Sequence, residues 1–336
     1  MQKLINLQEK MVPELIGVLE RRYNILRSIY FSQPIGRRVL AARIGLGERL
    51  TRSDTDFLRD QKLITTDPAG MWVTPEGEQI IRELEAFIHM VRGLNVLEQQ
   101  LAEKLNISRV LIVPGDSTTD ETVKQKLGQA AADYLRRNLS EGAVVAVTGG
   151  STLLELAEAM PAGGSFESVL VVPTRGGLGE QVELQANIIA ARLASRLGGS
   201  YRLLHVPDNL SGEVLEVLSQ DPGVKEVLED IARTDIVVHG IGTAVGMAIR
   251  RGLSQEETTR LLAKGAVSEA MGSYFDTAGR EVDQVGSLGL TYHNLQQVSQ
   301  VIAVAGGSAK AEAIRSVVSN RPRQVLVTDE GAARLL

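Results

Sequence analysis

The sequence predicts an α/β protein with a small helical head: an N-terminal winged helix-turn-helix, a connector helix, then a largely parallel, doubly wound sheet domain. Three observations carry this. Two short helical stretches flank Gly45-Leu46-Gly47 and are followed by two β-prone runs around a turn sequence. From Thr74 to about Asn106 the apolar residues step by threes and fours. From Ser108 onward, short unbroken apolar runs alternate with helical stretches, the pattern of buried parallel strands covered on both faces.

Taken in order, residues 13–30 read as a helix, with Leu15, Ile16, Val18, Leu19, Ile25, Leu26 and Ile29 at near-helical spacing and Pro13 suited to a first turn. Gln33-Pro34-Ile35-Gly36 breaks the chain. A short helix, residues 37–44, and a second from Glu48 to about Gln61 then enclose the glycine-containing turn of a helix-turn-helix. Leu50, Phe57, Leu58 and Leu63 supply the expected buried stripe. Leu63–Thr66 and Met71–Thr74, joined by Asp67-Pro68-Ala69-Gly70, form the hairpin, or wing. In such a domain Glu48, Arg49, Thr51, Arg52 and Ser53 lie where a recognition helix meets base edges, and Arg37 and Arg38 open the helix that touches phosphates. Arginine suits both roles, because its planar fork reads guanine or clamps a phosphate.

The domains expected are residues 1–74 for the head, 75–106 for an amphipathic connector of some thirty residues, and 107–336 for the sheet domain. Leu84, Ile88, Val91, Leu94, Leu97, Leu101 and Leu105 line the connector, which relaxes at Gly93 and suits dimerisation, because palindromic sites need two heads. Strands are expected at Val110–Val113, Val144–Thr148, Val169–Val172, Arg202–His205, Asp235–His239, Val301–Ala305 and Val325–Thr328, with helices over 120–138, 152–160 and 180–197.

Composition narrows the function. The chain has 336 residues, 43% of them hydrophobic and 23% charged, and no apolar run approaching a membrane span. The absence of cysteine removes disulfides, thiol catalysis and cysteine-ligated zinc, and four histidines without helical pairing make a histidine metal site a poor fit. No metal and no cofactor is expected, and the cytoplasm is the expected compartment. The net charge of −5 divides unevenly: residues 1–75 carry +4 and the remainder −9, so the head is the part suited to a polyanion.

Ligands of parallel sheets bind beyond the carboxyl ends of the strands. Three loops stand out there. Val147-Thr148-Gly149-Gly150-Ser151-Thr152 and Ala305-Gly306-Gly307-Ser308-Ala309-Lys310 each follow a strand and open a helix, where free N–H groups and the dipole favour an anion. Pro173-Thr174-Arg175-Gly176-Gly177-Leu178-Gly179 adds Arg175. Neither the Walker pattern nor the dinucleotide fingerprint is present. Candidate bases for an enzyme are His239, Glu269 and the Asp329-Glu330 pair. Coupling to a DNA-binding head instead favours a domain that recognises its ligand and leaves it unchanged.

These segments, with His239-Gly240-Ile241-Gly242 and Thr328-Asp329-Glu330-Gly331-Ala332, resemble the sugar-sensing transcriptional regulators of the SorC/DeoR type. Pro34-Ile35-Gly36-Arg37-Arg38 and Arg175-Gly176-Gly177-Leu178-Gly179-Glu180 are similar to the members that control glycolytic operons in Gram-positive bacteria. The resemblance spans essentially the whole chain. It implies a sheet domain like that of phosphosugar isomerases and deaminases, a homo-oligomer, and a repressor released from operator DNA by fructose 1,6-bisphosphate. It further implies one phosphate on Gly149, Gly150, Ser151 and Thr152 with Arg175 and Lys310, the other on Arg250 and Arg251, and sugar hydroxyls on Gln185 and Glu269. Ser151 departs from one glycolytic member of the group, which is expected to carry Thr there, and the hydroxyl is retained. The alternative is an isomerase- or deaminase-like enzyme with a fused head.

Charge placement makes one expectation testable by operator titration. Arg52→Ala should relax base preference and cost ~1–3 kcal/mol, whereas Arg37→Ala should weaken all sequences alike and flatten the salt dependence. Loss of binding without any change in base preference in both variants would remove Arg52 from the reading surface.

Overall fold

The computed structural model describes residues 11–163, 166–177, 182–208 and 210–336. Leu178, Gly179 and Glu180 of the third loop, and the start of the helix expected from residue 180, lie outside these. The chain divides into two compact units, with the division between Leu97 and Glu98.

In the first unit α1 (Pro13–Tyr30), α2 (Arg37–Ile44) and α3 (Glu48–Asp60) precede a hairpin of β1 (Ile64–Asp67) and β2 (Gly70–Val73). Gly45, at φ +65, ends α2 in the left-handed region, as glycine permits. The hairpin pairs Ile64 with Val73 and Asp67 with Gly70, and the Asp67 carboxylate accepts hydrogen bonds from the Ala69 and Gly70 amides and the Trp72 indole. The core is Ile25, Leu26, Ile29, Ile35, Leu40, Leu58, Ile64 and Met71. Helix-turn-helix and wing therefore follow in the expected order.

The face α3 buries differs from the expected one. Leu50 and Phe57 are 40% and 39% exposed, and the interior positions are Thr51, Asp54, Thr55 and Leu58. Polar groups can be buried when their hydrogen bonds are made inside. Thr51 Oγ1 donates to the Gly47 carbonyl at 3.2 Å, and Asp54 receives Arg21 at 2.6 Å and Arg22 at 3.0 Å from α1. The Arg22 guanidinium also lies 3.5 Å from the centroid of the Phe57 ring. Thr51 thus cannot reach DNA, and the expectation that it reads bases is corrected.

The connector is not one helix. It forms α4 (Pro75–Val91) and α5 (Leu94–Leu105), interrupted at Gly93 with φ +66. A left-handed residue cannot continue the i to i−4 ladder, so what was expected to relax at Gly93 breaks there.

The second unit is built on seven parallel strands: β3 (Arg109–Val113), β4 (Val144–Val147), β5 (Leu170–Pro173), β6 (Ser200–Tyr201), β7 (Ile236–Gly240), β12 (Gln300–Val304) and β13 (Gln324–Asp329). Their spatial order is β3-β13-β12-β7-β4-β5-β6. Between them run α6 (Thr122–Asn138), α7 (Ser151–Ala159), α8 (Ala186–Leu197), α9 (Gly212–Ser219) and α10 (Pro222–Ala232). Val145, Val147, Val171, Val238, Ile302, Val304 and Val327 pack with Leu127, Leu135, Leu153, Leu156, Ile189 and Leu193 into one core. At about 25 cal/mol per Å² of apolar surface removed from water, this burial does more than any other interaction to hold the sheet together.

Two elements differ from expectation. Arg202–His205 is not a strand: β6 ends at Tyr201, and the Asn187 amide takes both the N–H and the carbonyl of Leu204, groups a ladder would need. The sequence also did not reveal a second, antiparallel sheet. Its strands β8 (Gly242–Thr243), β9 (Ser268–Ala270), β10 (Ser273–Phe275) and β11 (Glu281–Gln284) lie in the order β11-β10-β9-β8. They are too short to show a period, and α11 (Ala244–Arg250) and α12 (Gln255–Ala263) separate the first two. Met271 and Gly272 form the tight β9–β10 turn with φ +52 and +86, the left-handed pair that twisted hairpins favour.

The Asp54 clamp gives a prediction for the head. Burial raises the Asp54 carboxyl, but the hydrogen bonds from Arg21 and Arg22 outweigh it and hold the group below the usual aspartate value. Asp54→Asn should lower the unfolding free energy of the head by about 1–3 kcal/mol in denaturant titrations, because a charge-assisted bond is lost beside unpaired arginines. The difference from the parent should shrink as pH falls through the carboxyl's own range. An unchanged midpoint at neutral pH would show that the clamp does not hold α3 in place.

Candidate functional site

The pocket lies where strand ends converge. Loops after β4, β5, β7 and β12 meet the β9–β10 turn and α11 around a cavity of about 140 Å³. Gly149, Gly150, Ser151, Thr152, Arg175, Gln185, Arg250, Arg251, Glu269 and Lys310, the ten residues singled out in the sequence, all line it.

One wall is the start of α7. Gly150 precedes the helix at φ +128, which only glycine adopts readily, and no side chain caps the helix. A Cβ on Gly149 would lie 2.5 Å from the Leu184 carbonyl oxygen. Gly150 N–H donates to that same oxygen, and among the described residues the amides of Ser151, Thr152 and Leu153 make no backbone hydrogen bond. The helix therefore presents an open, positively polarised end to the cavity.

The second glycine loop behaves differently. Gly307 N–H donates to Asp329 at 2.7 Å, Ser308 N–H to Asp116 at 3.0 Å and Ala309 N–H to Thr118 Oγ1 at 3.3 Å. Its amides are used within the protein, so it is not the anion cradle expected of it. It delivers Lys310. Burial, together with the nearby cations Lys124 and Arg250, lowers the Lys310 pKa.

Arg250 and Arg251 face different company. The Arg250 Nη1 atom lies 3.9 Å from where a Gly150 Cβ would stand, so it sits by the open helix end with Lys310. Neither Lys310 nor Arg250 has a hydrogen-bonded or ion-paired carboxylate among the described residues, and burial lowers the Arg250 pKa as well. Arg251 is buried between two carboxylates, with Nη1 on Asp208 at 2.6 Å and Nη2 on Glu269 at 2.9 Å. Arg175 Nε donates to the other Asp208 oxygen at 3.1 Å, and its Nη2 pairs there too. The two adjacent arginines thus have different partners: Arg250 lies by the helix end within electrostatic range of Lys310, whereas Arg251 shares Asp208 with Arg175.

The far end is fitted around these arginines. A Cβ on Gly272 would overlap the Arg175 guanidinium, and Gly272 N–H donates to Glu269 at 2.6 Å. A Cβ on Gly176 would lie 2.2 Å from the Val206 carbonyl oxygen. Sequence reading missed Asp208 and Gly272. Neither sits in a recognisable motif, and the chain brings them to the pocket only through the loop beyond β6 and the antiparallel sheet.

None of the candidate bases is free. His239 is fully buried, its Nδ1 against the Gly240 carbonyl and its Nε2 against the Gln324 amide, and desolvation pushes it down to about 4. Glu269 is taken by Arg251 and Gly272. Asp329 accepts from Ser117, Gly307 and Ala332, and Glu330 from Gly115 and Arg334. Proton transfer to a ligand needs a base within hydrogen-bond reach. These groups are committed to the protein itself.

In the first unit, Arg38, Glu48, Arg49, Arg52 and Ser53 are exposed. Arg37 is half-exposed and pairs with Asp56 at 3.3 Å. Among the described residues, no helix is long and apolar enough to cross a membrane, and no acidic, histidine or cysteine cluster could hold a metal.

Comparison with known proteins bears on both units. Residues 18–88 match the CggR N-terminal DNA binding domain family, and residues 89–336 match the Sugar-bind family of sugar-binding domains. The chain is 44% identical to the central glycolytic genes regulator of Priestia megaterium over 337 aligned residues, covering 100% of this chain and 98% of the relative. With that of Bacillus subtilis it shares 42% identity, covering 100% and 99%. A SorC family transcriptional regulator from Enterococcus faecalis superposes with a TM-score of 0.66 at 40% identity, over 71% of this chain and 98% of that one. The full-length sorbitol operon regulator SorC of Klebsiella pneumoniae, 21% identical, shares the fold over 94% of this chain and 97% of its own, with a TM-score of 0.67. The chain belongs to the SorC-type sugar-binding, DNA-binding transcriptional regulators, in the family of the central glycolytic genes regulators.

Proposed function

We propose that the protein is a cytoplasmic repressor of a glycolytic operon, released from its operator by a phosphorylated sugar, fructose 1,6-bisphosphate. The observation that carries the sugar phosphate is the proximity of Lys310 and Arg250, two half-buried cations with no carboxylate paired to them among the described residues, and of Arg250 to the uncapped start of α7. A phosphate there would supply the missing negative charge and accept the free amides of Ser151 and Thr152. Arg175 and Arg251 stand at the other end for a second anionic group, and Gln185 and Glu269, which also line the cavity, are the side chains offered to hydroxyls, Glu269 through the carboxylate capacity that Arg251 and Gly272 leave. The pocket binds its ligand without transforming it, because its acidic groups are already engaged.

On the DNA side, Arg49, Arg52, Ser53 and Glu48 offer an exposed reading surface on α3, with Arg38 and Arg37 at the start of α2 for phosphates. The protein acts as a homo-oligomer, since two heads are needed for a palindromic site. The ligand releases DNA by binding one conformation of the protein more tightly than another.

Calorimetry tests the ligand reading. Lys310→Ala and Arg250→Ala should each weaken fructose 1,6-bisphosphate by about ten- to a hundredfold, since a charge-assisted hydrogen bond is worth about 1.5–3 kcal/mol. A fructose monophosphate should suffer equally from both substitutions, because both cations face the same phosphate. Unchanged affinities in both variants would remove the phosphate from the start of α7.

A further inference from the structure

The two ends of the pocket differ in charge. At the start of α7, Lys310 and Arg250 carry two positive charges that no carboxylate among the described residues pairs or hydrogen-bonds, although Asp329 acts on Lys310 and Glu269 on Arg250 from farther away. At the far end, Arg175 and Arg251 are matched by Asp208 and Glu269 in a continuous chain of ion pairs, Arg175–Asp208–Arg251–Glu269. All four side chains are at most 9% exposed, so solvent screens them little. The far end is formally neutral, although it holds two of the pocket's guanidinium groups.

Asp208 is the link that makes it so. One of its oxygens takes Arg175 and the other takes Arg251. Its backbone is tied to the loop bearing Arg175: Asp208 N–H donates to the Gly177 carbonyl at 3.0 Å, and Gly177 N–H donates to the Val206 carbonyl at 3.0 Å. Glu269, by contrast, is anchored by the Gly272 amide and touches only Arg251. Of the two carboxylates, Asp208 alone engages both arginines.

We propose that Asp208 is an internal competitor for the ligand's second anionic group, occupying the two guanidiniums that would otherwise hold it. The inference rests on the sugar-phosphate reading of the pocket. A ligand with one phosphate fills the charged end and leaves the ion-pair chain intact. A ligand with a phosphate at each end must draw Arg175 or Arg251 away from Asp208, exchanging one anionic partner for another. Asp208 thereby sets how strongly the pocket distinguishes bisphosphates from monophosphates, without itself touching the phosphate.

The test is calorimetry of the full-length chain with fructose 1,6-bisphosphate and with a fructose monophosphate, for the parent and for Asp208→Asn. Asparagine keeps the size and one acceptor but removes the charge, leaving the far end with one net positive charge. The expected result is a bisphosphate affinity raised about tenfold, the scale of a close charge pair, with monophosphate affinity within about twofold of the parent. Bisphosphate affinity that is unchanged or lower, with monophosphate binding intact, would overturn the inference. So would equal loss of both ligands from a folded variant, which would make Asp208 a support for the pocket as a whole. Failure of the parent to bind either sugar would instead remove the sugar-phosphate reading on which the inference stands. Should Asp208→Asn not fold, a crystal structure of the parent with the bisphosphate decides the matter. Arg175 or Arg251 turned from Asp208 to phosphate is the expected result, and both still on Asp208 is the contrary one.

Discussion

The sheet domain brings two half-buried cations, Lys310 and Arg250, to its pocket without a carboxylate paired to either among the described residues. Burying a cation is costly unless an anion accompanies it, and folded proteins ordinarily supply that anion from a side chain. Here Arg250 is brought to the uncapped end of α7 with Lys310 in electrostatic range, the helix dipole adds to the same sign, and among the described residues no carboxylate is paired or hydrogen-bonded to either. Elsewhere in the pocket the rule is obeyed, since Arg175 and Arg251 have their carboxylates at hydrogen-bond distance. The contrast within one cavity makes the helix end informative.

The parallel sheet makes this arrangement possible. Strands β4, β5, β7 and β12 are neighbours or near-neighbours in the sheet, so their carboxyl ends open onto one crevice. Apolar burial on both faces holds them in register, and the loops can then carry strained glycines and buried charges that a less stable frame would not tolerate. The small antiparallel sheet closes the far side. Its β9 strand brings Glu269, and its left-handed turn leaves room at Gly272 for the Arg175 guanidinium.

Much of this was legible in the sequence, for physical reasons that also explain the misses. Buried parallel strands are runs of apolar residues, so six of the seven were found within a residue or two; the seventh, β6, is only Ser200–Tyr201, and the run expected after it gives its Leu204 groups to the Asn187 side chain, an interaction with no sequence period. The loop glycines marked the pocket because close backbone approach at Gly149 and positive φ at Gly150 require them. The same signal misled at Gly306-Gly307, where Asp329 and Asp116 consume the amides. Hydrophobicity misplaced the inner face of α3, because Asp54 and Thr51 are buried through hydrogen bonds that only the folded contacts with Arg21, Arg22 and Gly47 disclose. Adjacent arginines look alike in a sequence. Whether Arg250 or Arg251 is already neutralised depends on Asp208 and Glu269, which are distant along the chain.

The measurement that bears most directly on this mechanism is operator affinity, read by fluorescence anisotropy as fructose 1,6-bisphosphate is added. It should be made on the parent chain and on a variant in which both Lys310 and Arg250 are alanine. The sugar should weaken operator binding by the parent and leave the double variant bound, with both proteins equally tight on DNA in its absence. Release of the double variant at the same sugar concentration as the parent would contradict a phosphate held at the start of α7.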